Sequence, residues 1–334
     1  MLKIRKKKFT ITKAVKPGET QNWIPFFCPK CSRKLRASEK EYAHIKPCPA
    51  CKEKITYPDP SFGVGQLIAD YMLDGWIDHG SMGEVYMAHN INTQQKVALK
   101  LLNSQISTED GLALFKQETD ILSYFKHQNI ITQNGSGEFY GCYYLAMNYV
   151  EGECLDKLLL RHDLLPEKLV LSIIRQTADA MNYVTNTFGI RHRDLKPGNL
   201  MIDEDWNVTV IDWGMAKQKF HKDDNQVHGS PLFVDPVAVQ QASGLDARSD
   251  IYSMGVTCFY LLTGEYPFIA DDVDALIDKV LTEPAPSARS INCQVSKNTS
   301  LLIDYMLKKT YEERYQNWQE VINGVDEALA TVRS

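Results

Sequence analysis

The string His192-Arg193-Asp194-Leu195-Lys196-Pro197-Gly198-Asn199 is followed, thirteen residues after its Asn, by Asp212-Trp213-Gly214. No other feature constrains the chain as tightly, because it supplies a set of groups that act only in concert. Asp194 is a carboxylate able to accept a hydroxyl proton, Lys196 stands beside it, and Asn199 and Asp212 are oxygen ligands of the kind magnesium takes. Together these are the parts that phosphoryl transfer needs. An isolated His-Arg-Asp would carry little weight. The full string with a second acidic turn at this distance makes chance a poor explanation.

At 334 residues and 44% apolar content the chain suits a globular protein of two or three packing units. No apolar run approaches the roughly 18 residues of a membrane span. The basic N-terminus lacks the apolar core of a signal peptide, so a cytoplasmic protein is expected. The net charge of −5 hides an asymmetry: residues 1–57 carry 15 Lys+Arg against 4 Asp+Glu, and the remainder 22 against 38. Such a split suggests modules with different partners, or modules that attract each other.

Organisation follows from the walk along the chain. Residues 1–22 read as a basic tail, 23–57 as a cysteine module, and the turn-rich stretch 58–67 as a linker. Between Ile68 and Ala88 apolar and polar residues alternate around a glycine turn, as two antiparallel strands do, and Lys96–Leu102 gives a third strand. Leu114, Ile121, Leu122 and Phe125 recur at helical spacing, placing Glu118 on a helix. Tyr143–Val150 is a further strand. After Leu155 the chain reads as mostly helical, over 167–188, 248–263, 272–282, 298–308 and 315–330. Strands first and helices after predict an α+β fold with a small antiparallel sheet lobe at 68–150 and a larger helical lobe at 151–334.

From Tyr71 to about Leu329 the sequence resembles the eukaryotic-like Ser/Thr protein kinases, its bacterial members most closely. The resemblance implies a bilobal kinase fold, with ATP and Mg2+ as cofactors and Ser/Thr hydroxyls of proteins as acceptors. Asp78-His79-Gly80-Ser81-Met82-Gly83-Glu84-Val85 is similar to the glycine-rich loop, with Asp78 in place of the first glycine. Glycines let the backbone approach phosphates, whereas a carboxylate there is electrostatically awkward. Val97-Ala98-Leu99-Lys100 resembles the strand whose lysine grips the α- and β-phosphates, with Glu118 as its ion-pair partner. The resemblance further assigns Asp194 as catalytic base, Lys196 to the charge of the transferring phosphate, and Asn199 and Asp212 to magnesium. Val85, Ala98 and Met201 would sandwich adenine, with Met147 as gatekeeper and Asn148, Tyr149 and Val150 as the hinge strand. His192 and Trp213 are expected as packing residues. A lysine two residues after the catalytic Asp is the Ser/Thr pattern, and Asp250 resembles the buried carboxylate that braces the catalytic loop.

Two departures stand out. Gly229-Ser230-Pro231-Leu232-Phe233-Val234-Asp235-Pro236-Val237 occupies the place of Gly-Thr-Pro-x-Tyr-x-Ala-Pro-Glu, so Val237 replaces the closing Glu. Arg314, that Glu's expected partner, loses its salt bridge and needs another acceptor. Between Met215 and Gly229 there is no Ser, Thr or Tyr, which rules out activation-loop phosphorylation in the usual place. Ser230 holds the family's position for contacting Asp194 and Lys196.

Cys28, Cys31, Cys48 and Cys51 form two Cys-x2-Cys pairs sixteen residues apart, a spacing suited to tetrahedral zinc in a ribbon. His44 makes a competing pattern, but using it would orphan Cys51. A protein or intramolecular partner is the expectation for this basic ribbon ahead of nucleic acid, since few aromatics are interleaved with its Lys and Arg to stack bases. Two rival readings stay open at this point: a pseudokinase scaffold, and a zinc-ribbon regulator that binds nucleic acid or protein.

Overall fold

The computed structural model describes residues 23–332 except 29, 32, 39–40, 42–43, 57–61, 81–82, 104–107, 163, 219–229 and 241–244. The basic tail at 1–22 and most of the hydroxyl-free segment 215–229 therefore lie outside the described residues. The chain divides into two compact units, one built on the described residues up to Tyr149 together with Asp212–Met215, the other on Val150–Ile211 and Ala216–Ser334.

The first unit begins with two hairpins, β1 (Trp23–Phe27) with β2 (Lys34–Ser38) and β3 (Ile45–Pro47) with β4 (Lys54–Thr56). Each Cys-x2-Cys pair sits in the turn of its hairpin, and the same bond closes both turns: Cys28 N–H donates to Arg33 O at 3.0 Å and Cys48 N–H to Glu53 O at 2.7 Å. Cys28, Leu35, Cys48 and Ile55 are buried together.

A six-stranded antiparallel sheet follows, ordered β5-β6-β7-β8-β10-β9. Its strands are β5 (Leu67–Ile68), β6 (Tyr71–Gly80), β7 (Gly83–Asn90), β8 (Lys96–Asn103), β9 (Gln133–Phe139) and β10 (Cys142–Asn148). Alternation sets its buried face, where Leu73, Tyr86, Ala88, Val97, Leu99 and Leu101 pack. Helix α1 (Glu109–Tyr124) starts where the Thr108 side chain accepts the Gly111 N–H, with Glu109 and Asp110 in its positive first turn. Part of the expected linker is tied to this sheet: the Phe62 ring meets Tyr86 edge-on at 6.1 Å, and Gly65 N–H donates to Leu73 O at 2.8 Å.

The second unit is mainly helical, as expected, but it also holds short strands that periodicity did not reveal. Strand β11 (Gly152–Cys154) leads into α2 (Leu155–Leu159) and the long α3 (Glu167–Phe188), which Gly189 ends at φ +64°. Then come β12 (Ile190–Arg191), β13 (Leu200–Asp203), β14 (Val208–Val210) and β15 (Lys217–Gln218). Strands β11, β13 and β14 form a three-stranded sheet, and β12 pairs with β15. Helices α4 (Pro236–Gln240), α5 (Ala247–Thr263), α6 (Val273–Thr282), α7 (Ala288–Ile291), α8 (Lys297–Met306) and α9 (Trp318–Thr331) complete it. Apolar almost all round, α5 is the buried axis against which α3, α7, α8 and α9 pack. Among the described residues, no helix is long and apolar enough to cross a membrane.

Candidate active site

Each unit assembles its own cluster of the predicted site residues. In the sheet unit, strand register places Val85 opposite Lys100 and Ala98 opposite Met147. Lys100 Nζ lies 2.6 Å from Glu118 Oε2 and 3.4 Å from Asp212 Oδ1. Glu118 reaches this position because α1 turns its Phe115, Glu118 and Leu122 face inward. Burial works against the Lys100 ammonium, but the Glu118 and Asp212 carboxylates outweigh it and hold its pKa above the ordinary lysine value. Burial pushes the Glu118 carboxyl up, opposed by the Lys100 charge. Such a pair is dear to break, because either partner alone is an uncompensated buried charge. Trp213 is fully buried and meets Phe125 edge-on at 4.7 Å. Asp212 itself has φ +59°, a conformation that costs a non-glycine residue on the order of 1 kcal/mol and recurs at functional sites.

Gly80 ends β6 and Gly83 opens β7. At Gly83, φ is +131° and a Cβ would collide with the Leu101 carbonyl, so only glycine fits. Asp78 is exposed on β6, opposite Val85. Met147 is buried, whereas Asn148 is exposed and its Oδ1 accepts from Asn134 Nδ2 at 2.9 Å. Tyr149 is half-buried, and Lys96 Nζ sits 3.8 Å from the centre of its ring.

The helical unit gathers the other group. Asp194 Oδ2 lies 2.6 Å from Lys196 Nζ, and Asn199 Nδ2 donates to Asp194 Oδ2 at 3.0 Å and to its carbonyl at 2.8 Å. Ser230 Oγ accepts from Lys196 Nζ at 2.9 Å and donates to Asp194 Oδ1 at 3.3 Å. Beneath them Asp250, fully buried, accepts the N–H groups of His192 at 2.7 Å and Arg193 at 2.8 Å. That bond supports Arg193 at φ +69°. His192 is buried and its Nε2 lies 3.1 Å from Ile211 O. Met201 on β13 and Val150 are half-buried in this same unit.

Arg314 has an acceptor that the sequence did not disclose. Its Nη2 lies 2.9 Å from Asp235 Oδ1, with side-chain exposures of 0% and 2%, so the missing Glu at 237 is made good from two residues earlier. The available signal was plain: Asp235 is the sole acidic residue between Ser230 and Gln240.

The four cysteines form a second, separate centre. Their Sγ atoms all lie within 4.8 Å of one another, with Cys28–Cys51 at 3.6 Å and Cys31–Cys48 at 3.7 Å. Thiolates around tetrahedral zinc at roughly 2.3 Å stand about 3.8 Å apart, so the donor set fits that ion. The N–H groups of Cys51 and Ala50 stabilise negative charge on the Cys48 sulfur and lower its pKa to about 6. His44 is exposed and outside the cluster.

Residues 71–324 match the protein kinase domain family. The chain is 34% identical over 275 residues to serine/threonine-protein kinase pkn3 of Myxococcus xanthus, covering 77% of this chain and 50% of that protein. It is 30% identical to the probable serine/threonine-protein kinase PknB of Lactococcus lactis (78% and 42% covered) and 31% to serine/threonine-protein kinase PrkC of Bacillus subtilis (77% and 40%). The chain thus spans half or less of the length of these relatives. With most of its length inside the match, this chain belongs to the protein kinase domain family.

Proposed function

We propose that the protein is an ATP- and Mg2+-dependent Ser/Thr protein kinase that transfers the γ-phosphate to a protein hydroxyl. The observation that carries this reading is the convergence of Asp194 and Lys196 on one hydroxyl oxygen, that of Ser230. A substrate hydroxyl presented to the same groups would lose its proton to Asp194, while Lys196 offsets charge on the transferring phosphate. Asn199 and Asp212 would each offer Mg2+ a hard oxygen ligand, and bound Mg2+ would supply positive charge against the phosphates. Lys100, oriented by Glu118, would hold the α- and β-phosphates, with Gly80 and Gly83 letting the backbone approach them. Val85, Ala98, Met147 and Met201 would contact adenine, with Asn148, Tyr149 and Val150 as its hinge. Zinc on Cys28, Cys31, Cys48 and Cys51 would hold the ribbon together, which leaves the ribbon's basic surface for a protein or intramolecular partner.

The test is transfer of radiolabelled phosphate from Mg-ATP to a generic acceptor protein such as myelin basic protein. Asp194→Asn is expected to lower turnover by about 100-fold or more while Mg-ATP still binds. Wild-type rates in that variant would sink the assignment. Asp78, a carboxylate where the loop usually has glycine, favours one other reading, a pseudokinase that binds nucleotide without turnover. Nucleotide binding without any transfer by the unaltered protein would select it.

A further inference from the structure

We propose that Asp235 is the positioning residue for the acceptor-docking segment, the stretch that carries Ser230 to Asp194 and Lys196; this rests on the kinase reading above. Both oxygens of the Asp235 carboxylate are engaged. Oδ1 accepts from Arg314 Nη2 at 2.9 Å and from the Val237 N–H at 3.2 Å, and Oδ2 accepts from Ser249 Oγ at 2.8 Å and Tyr311 OH at 3.2 Å. A carboxylate at 2% exposure, set against Arg314, the Val237 N–H and a Ser249–Tyr311 hydroxyl pair that are themselves 2.6 Å apart, is held in one orientation. Arg314 is itself fixed, since its guanidinium also donates to Lys308 O at 2.7 Å and Arg248 O at 2.5 Å.

The same residue caps α4, as its carbonyl accepts the Val239 N–H at 3.2 Å while its side chain takes the Val237 N–H. Asp235 therefore couples the floor of the helical unit to the first turn of α4. Between it and Ser230 the chain has few degrees of freedom. Pro231 fixes φ, Phe233 is buried with its carbonyl accepting from Ser253 Oγ at 2.9 Å, and Val234 packs with Phe268, Leu276 and Val280. One end of this short strut is pinned by Asp235, and the other presents Ser230 to the candidate base and lysine. In the related pattern the pinning carboxylate stands after the proline, inside the helix. Here it stands before the proline, at the cap, and Val237 packs with Leu245 and Tyr311 instead.

The test compares Asp235→Asn with the double variant Asp235→Ala/Val237→Glu, which returns the carboxylate to the other position beside Tyr311. Acceptor phosphorylation is measured with myelin basic protein, and nucleotide affinity with a fluorescent ATP analogue. Asp235→Asn is expected to lower kcat/KM for the acceptor about tenfold or more and leave nucleotide affinity within about twofold, the split expected when only the acceptor is misplaced. The double variant should recover to within about threefold of wild type. Wild-type kcat/KM in Asp235→Asn, a parallel loss of nucleotide affinity, or a folded double variant without recovery would each overturn the proposal. Should Asp235→Asn fail to fold, the double variant decides alone: folded and active supports the proposal, anything else overturns it. If the unaltered protein phosphorylates nothing, the kinase reading fails first. Asp235 is then judged by amide exchange over 233–239, where faster exchange in Asp235→Asn, reversed in the double variant, supports pinning and unchanged exchange overturns it.

Discussion

Asp235 and Arg314 meet at 2.9 Å with their side chains 2% and 0% exposed, an ion pair almost wholly enclosed by the helical unit. Enclosure decides its energetics. An exposed pair contributes about 0–1 kcal/mol, whereas removing one partner of a buried pair strands the other without water. Arg314→Met keeps the aliphatic stem but leaves the Asp235 carboxylate with no cationic partner, facing only Ser249, Tyr311 and the Val237 N–H. Its unfolding free energy, measured in urea, is expected to fall by about 3–5 kcal/mol. A loss below about 1 kcal/mol would show that water reaches the pair.

In the sheet unit a single hydroxyl links strand β7 to the segment that precedes the sheet. Tyr86 OH donates to Glu84 Oε2 at 2.7 Å, lies 3.1 Å from Phe62 O and accepts the Phe62 N–H at 3.2 Å. Phe62 thus ties the segment ahead of the sheet to β7, five residues before β5 begins at Leu67. Phe62→Ala removes a half-buried ring and is expected to lower the stability of the full chain by about 1–2 kcal/mol. Thermal denaturation checks this; an unchanged Tm would mean that the ring adds nothing to the sheet.

How much of this was legible depended on the kind of signal. Lys100 and Glu118 could be paired because both stand in the register of the kinase motifs that the chain resembles, with Glu118 on a helix that apolar spacing marked out. The limits of α3 were read to the residue, since apolar spacing runs its length and Gly189 stops it. Strands β11, β13 and β14 were missed because three or four residues are too few to show a period. Strand β9 was missed because Gln133–Phe139 holds two glycines and little apolar content, a composition tolerable only at a sheet edge. Asp235 escaped for another reason: a motif read position by position records the loss at 237 but not a substitute two residues away in space and sequence.

Absence of any hydroxyl from 215 to 229 leads to a prediction about control. Phosphate cannot be attached there, so activity should not depend on it. Phosphatase-treated protein is expected to retain its rate toward a generic acceptor. A large loss, regained on re-phosphorylation, would locate a control site elsewhere in the chain.

Lys309 gives the helical unit a pH signature. Burial, with the Arg314 charge nearby, lowers its pKa from 10.5 to about 8, although Nζ still donates to Val280 O and lies 4.0 Å from the Phe268 ring centre. The folded chain releases this proton near pH 8, whereas the unfolded chain keeps it until about pH 10.5. Between those values the unfolded state binds more protons, so this group's contribution to stability rises with pH. The difference in unfolding free energy between wild type and Lys309→Met is therefore expected to move in favour of wild type from pH 8 to 10. A flat difference would mean that the amine titrates normally in the folded protein.

Zinc at the cysteine centre is the most direct of these expectations to check. The four sulfurs are too far apart for disulfides, which need about 2.0 Å, and close to the spacing of a shared tetrahedral ion. Both turns are closed by the same backbone bond, so each pair presents its thiolates from an equivalent frame. Buried Cys28 and Cys48 pack with Leu35 and Ile55, which ties the metal to the small core of the two hairpins. Binding and local folding are then one event. Metal analysis should find one zinc per chain, lost in Cys48→Ser and retained in His44→Ala. Removal by a chelator should expose the hairpins to proteolysis while the 71–324 region resists it. Zinc kept in Cys48→Ser but lost in His44→Ala would overturn the four-cysteine assignment, and hairpins that stay protected after chelation would show that the apolar cluster suffices without the ion.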